Sequence, residues 1–145
     1  MQLPWYVTAL AAALIWGIHY PLIDNALKKI SLYSVLLLTA LPVVLLAPFY
    51  LQNLRQDISV FTGLGLQQQL AIAAIGFTSV MASVLLFMSI DNKNATLASL
   101  IEITYPVFVA LFAFVMFRHV HLTASAITGG VLVIAGVAII IINNP

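Results

Sequence analysis

The stretch 95–117, ATLASLIEITYPVFVALFAFVMF, is apolar for longer than the roughly 20 residues that a helix needs to cross a bilayer, and it carries one carboxylate. A charged side chain is expensive in hydrocarbon, so Glu102 is expected to face protein or a watery cavity rather than lipid. Pro106 follows four residues later, and its missing N–H leaves the Glu102 carbonyl without its helical donor, which predicts a kink. Tyr105, at i+3 from Glu102, adds a hydroxyl to the same helical face.

The rest of the chain repeats the pattern. Hydrophobic residues make up 63% of the 145 and charged residues 6%, against about a quarter charged in a soluble domain. Continuous rather than alternating apolar runs argue against a transmembrane β-barrel. The fold class expected is all-α integral membrane, a single domain over 1–145 with five spans at about 4–27, 32–51, 70–90, 95–117 and 123–142. The start, MQLPWYVTALAAALIWG, has no basic n-region and reads as a membrane helix rather than a cleaved signal. Absence of cysteine excludes thiol redox chemistry and disulfides, and a net charge of +1 without a basic patch argues against nucleic acid.

In the first span, Trp5 and Tyr6 suit an interface, and Trp16, Tyr20 and Asp24 follow at i+4 along one stripe with His19 beside them. Pro21 frees the Gly17 carbonyl and predicts a kink, while Asp24 can pair with Lys28. The second span contains Pro42 and Pro48. The connection QNLRQDISVFTGLGLQQQ has an apolar centre too short to cross, so it is expected at the interface or as a loop. Gly76, Ser79 and Ser83 in the third span, and Ser125, Gly129 and Gly136 in the fifth, are expected to be close-packing faces. The tetrad 91–94, DNKN, reads as a wet turn. Five spans put the termini on opposite sides, with Arg55 and Arg118 facing Lys28, Lys29 and Lys93 across the membrane. Two against three specifies no orientation.

These residues resemble a known family. WGIHYPLIDNALKKIS looks like the opening signature of the EamA-type domain of the drug/metabolite transporter superfamily, ATLASLIEITYPVFVALFAFVMF is similar to its fourth helix, and HLTASAITGGVLVIAGVAIII resembles its Gly-rich fifth. The resemblance covers essentially the whole chain. Most members carry two such five-helix units of inverted topology, so it implies that this single unit pairs, as a homodimer (antiparallel in one arrangement) or with an inverted homologous partner, around a midplane site for a small-molecule substrate. The family's usual Gly-Glu after the fourth helix reads His119-Val120 here, so nothing carries over from that acid.

The candidate substrate- and proton-binding residues are Glu102, Tyr105, His19, Trp16 and Tyr20. A carboxyl group in a dehydrated cavity keeps its proton to higher pH, the property a proton-coupled carrier needs. The plainer reading of Glu102 is a carboxyl that snorkels to the headgroups. His19 can relay protons or simply bond a neighbouring helix. Trp16 and Tyr20 can cradle an organic cation on their ring faces or merely pack. His119 and His121, without a carboxylate or cysteine to complete a set, read as a solvated loop, so neither metal nor cofactor is expected. No nucleophile–base pair or phosphate loop is present, so the chain is not expected to be an enzyme. The functional expectation is a multi-pass subunit of a secondary transporter in the cell (inner) membrane, exporting a small organic metabolite or amphipathic cation against protons. The alternatives are a non-transporting scaffold subunit and a subunit of a lipid-linked carrier flippase.

Overall fold

The computed structural model describes residues 4–118 and 123–144, and these residues contain helices and no strand. The helices are α1 (Trp5–Leu27), α2 (Leu32–Leu46), a 3-10 turn (Ala47–Tyr50), α3 (Leu51–Gly63), α4 (Leu66–Asn92), α5 (Ala95–Glu102), α6 (Tyr105–Phe117) and α7 (Ala124–Asn143). Grouped by continuity, they give 5 segments long and apolar enough to cross a membrane: Trp5–Leu27, Leu32–Gly63, Leu66–Asn92, Ala95–Phe117 and Ala124–Asn143. The fold is therefore all-helical and of the membrane-spanning class.

At the starts of α2, α5 and α7 a side chain satisfies one of the first backbone N–H groups, which lack a partner inside the helix. The Ser31 hydroxyl accepts from the Ser34 N–H, the Asn94 side-chain oxygen from the Leu97 N–H at 2.8 Å, and the Thr123 hydroxyl from the Ala126 N–H at 3.2 Å. Asn94, read as part of a wet turn, is thus the N-cap of α5, and α4 runs on to Asn92.

Prolines shape three places. Pro21 sits inside an unbroken α1. At Pro48 the chain tightens into the 3-10 turn. The fourth span divides into two helices, because α5 ends at Glu102 and α6 starts at Tyr105 with Pro106 in its first turn, where a missing N–H costs little. The kink expected there is a helix break at Ile103 and Thr104, and the Thr104 hydroxyl donates back to the Ile101 carbonyl at 2.9 Å.

The connection after the second span is not a loop. It folds as α3, whose Leu51, Leu54, Ile58 and Phe61 recur at helical spacing along one side, with Gln52, Asn53, Arg55 and Gln56 elsewhere. Gln69 secures its end by donating Nε2–H bonds to the carbonyls of Phe61 at 3.1 Å and Leu64 at 3.0 Å.

The chain divides into two compact units, one formed by Met1–Pro21 with Asn92–Pro145 and the other by Leu22–Asp91. In the first, α5 packs on α7, Ala95, Ala98 and Val137 are buried, and Val107 comes within 3.5 Å of where a side chain on Gly130 would begin. In the second, Ile23, Val35, Phe87 and Ile90 are buried. Gly76, Gly129 and Gly136 meet open space, and the close approach falls at Gly130 instead. The Ser83 hydroxyl bonds the Ser79 carbonyl of its own helix at 2.9 Å.

Candidate functional site

The first unit brings together the carboxylate and the aromatic stripe that the sequence holds far apart. The Tyr20 hydroxyl donates to Glu102 Oε2 at 2.6 Å, joining α1 to the C-terminal end of α5. That is a short O–H···O distance, in the range of charge-assisted bonds to a carboxylate. Both side chains are half-buried. Glu102 is thus hydrogen-bonded across two helices.

Around Tyr20 the α1 stripe forms a ring cluster. The Trp16 ring lies 5.4 Å from that of Tyr20 in a tilted arrangement and 5.1 Å from that of His19 edge-on, and the His19 and Tyr20 rings are 6.4 Å apart. These spacings fall in the favourable range for aromatic pairs. They follow from the i, i+3, i+4 placement of Trp16, His19 and Tyr20 on one helix. Trp16 keeps 51% of its surface exposed, so its face is open to a ligand or to lipid.

A cleft of about 200 Å³ adjoins the pair, lined by Gly17, Tyr20, Pro21, Ala95, Thr96, Ser99 and Leu100. Gly17 has no side chain to fill it, and Pro21 leaves the Gly17 carbonyl without its usual donor. The Ser99 hydroxyl is directed to the Thr96 carbonyl at 3.0 Å. In the second unit a larger cleft of about 360 Å³ lies between α3 and α4, but its lining of Leu54, Ile58, Val60, Phe61, Leu64 and Ile72 is apolar apart from Asp57. Size favours that second cleft. The smaller one is the cleft that adjoins the hydrogen bond between Tyr20 and Glu102.

Tyr105 is not hydrogen-bonded to the pair. The helix break separates it from Glu102, it is 60% exposed, and its hydroxyl makes no hydrogen bond among the described residues. Asp24 pairs with Lys28 at 2.8 Å, the i+4 partner its spacing indicated. His119 and His121 lie outside the described residues. Sequence reasoning missed Gln69 as a capping residue; a glutamine shortly after a Gly-containing turn was the available signal.

Five segments long and apolar enough to cross a membrane define a multi-pass helical membrane protein, and a hydrogen bond joins a phenol of the first to a carboxylate of the fourth. The chain belongs to the EamA-like transporter family, whose family model matches residues 3–142. No curated protein and no solved structure is similar enough to count as a match. Membership carries a transporter-like function in the membrane, in a family whose members are generally not enzymes.

Proposed function

We propose that residues 1–145 act as one half-unit of a proton-coupled secondary transporter in the cell (inner) membrane, exporting a small organic metabolite or an amphipathic cation by alternating access. Two units assemble as a homodimer, antiparallel or otherwise, or one unit joins an inverted homologous partner, and the site lies near the midplane. Glu102 is the exchanging acid: it takes a proton in one facing state and gives it up in favour of substrate in the other. Because proton and substrate differ in affinity for the two states, their gradients bias the cycle. Trp16, His19 and Tyr20 form the aromatic side of the site, where ring faces attract a cation. Tyr105 belongs to the same site from the other side of the helix break.

The observation that carries this reading is the 2.6 Å bond from Tyr20 to Glu102. It supports the reading because a half-buried carboxylate is bonded to a phenol of another helix, beside the rings of Trp16 and His19. Proteoliposome assays of tetraphenylphosphonium movement under an imposed pH gradient test it. Glu102→Gln is expected to lower gradient-driven transport at least tenfold. Transport at the wild-type rate, with the wild-type pH dependence, would overturn the assignment.

A further inference from the structure

We propose that the cleft between α3 and α4 seats one membrane phospholipid whose headgroup ends in a primary ammonium, with that ammonium on Asp57 and an acyl chain along the apolar wall. The site belongs to the second unit and stands independently of Glu102 and of transport.

Helix length places α3 at the membrane boundary. The segment Leu32–Gly63 runs for 32 residues, well beyond the roughly 20 that a crossing needs. The 3-10 turn at Pro48 interrupts it, so α2 with that turn suffices to cross and the 13 residues of α3 are surplus. Their pattern is that of an interfacial helix, with Leu51, Leu54, Ile58 and Phe61 on one side and Gln52, Asn53, Arg55 and Gln56 elsewhere. Gln67, Gln68 and Gln69 follow at the start of α4 and continue the polar tract.

The cleft has the size and the walls for a ligand with a hydrocarbon body. Its volume of about 360 Å³ falls within the range of about 300–1,000 Å³ typical of small-molecule sites. Leu54, Ile58 and Phe61 wall it from α3 and Ile72 from α4, with Leu64 between them. Gln69 ties the two walls together through its bonds to the carbonyls of Phe61 and Leu64, so the cleft exists before a ligand arrives.

Charge selects the headgroup. Asp57 is the only ionisable residue of the lining, it is exposed, and it takes part in no hydrogen bond or ion pair among the described residues. Arg55 lies two positions away, a spacing that turns it to another side of the helix, and it is not part of the lining. A carboxylate beside an apolar wall is complementary to a cation with a hydrocarbon body, and at the boundary of a bilayer the neighbours that carry both are aminophospholipids. A primary ammonium donates N–H bonds to a carboxylate. A choline headgroup has no N–H to give, and a glycerol headgroup leaves the negative phosphate facing the acid. Headgroup preference is thus the signature of Asp57, and retention of the chains that of the apolar wall.

The test is lipid retention by the full chain in detergent, read by native mass spectrometry after incubation with equimolar dioleoyl phosphatidylethanolamine, phosphatidylcholine and phosphatidylglycerol. Wild type is expected to retain the ethanolamine lipid about threefold over each of the others, the selectivity of a partly screened ion pair. Asp57→Asn is expected to retain all three alike, and Asp57→Lys to favour the glycerol lipid. Asp91→Asn, altering an exposed acid outside the lining, is expected to keep the wild-type preference. Ile72→Trp, which adds bulk to the wall, is expected to lower retention of all three lipids. No preference for the ethanolamine lipid in wild type, a preference that survives both substitutions at Asp57, or undiminished retention in Ile72→Trp would overturn the site. Lipid-free dimers, in which a second copy fills the cleft, would overturn it as well.

Discussion

An ionisable group within a membrane-spanning helix has to find a partner, since hydrocarbon offers none. For Glu102 the partner is Tyr20, 82 residues earlier in the chain. Asp24 makes a useful contrast. It lies near the end of α1, and its bridge to Lys28 is a helical i+4 pair whose lysine is 69% exposed, so water and salt screen it. Asp24→Asn is expected to change stability by less than about 1 kcal/mol and to leave proton coupling intact, as read by thermal unfolding in detergent and by gradient-driven transport. Each of these acids could be singled out in the sequence, Glu102 as a lone carboxylate in an apolar run and Asp24 by its spacing to Lys28. The bond from Tyr20 could not. Helical periodicity reports neighbours within one helix, and no local pattern carries the distance between α1 and α5.

At the level of elements, helix breaks were easier to read than helix starts inside polar stretches. Pro106 marks the interruption between α5 and α6 because a missing N–H and a bulky ring act locally. The opposite occurred at α3. Its apolar centre is too short for a span, and the helical signal there is the i, i+3, i+7, i+10 spacing of Leu51, Leu54, Ile58 and Phe61, a periodicity separate from the length and apolarity that mark a span. Gln69 closes that helix by serving two carbonyls from one amide. Gln69→Leu leaves both without that donor and is expected to destabilise the α3–α4 junction by about 1 kcal/mol. Hydrogen exchange should show faster amides at the end of α3 while those of α7 keep their protection. Unchanged exchange across α3 would contradict the capping role.

On the scale of the whole molecule, the notable property is how little is buried. Large apolar side chains along every span stay exposed, among them Leu14, Leu37, Phe77, Phe112 and Leu132. In a membrane protein such surface faces lipid or another subunit, and lipid alone does not drive helices together. Small residues that meet open space, Gly76 on α4 and Gly129 and Gly136 on α7, are where the proposed second unit can approach closely. Charge does not choose an orientation, with Arg55 and Arg118 set against Lys28, Lys29 and Lys93. Because the chain has no cysteine, single cysteines introduced at Gln2 and at Asn144 report topology without background. Labelling of each position from both membrane faces is expected for an antiparallel homodimer. One fixed orientation would rule that dimer out in favour of an inverted partner chain or a parallel assembly.

The proposed transport depends on Glu102 exchanging its proton for a ligand. The most direct measurement is proton release on ligand binding, followed with a pH indicator in weakly buffered detergent solution as tetraphenylphosphonium is added. Wild type is expected to release protons as the ligand binds, and Glu102→Gln to release none. Equal release from the two proteins would contradict the account, because the exchanging proton would then reside on another group.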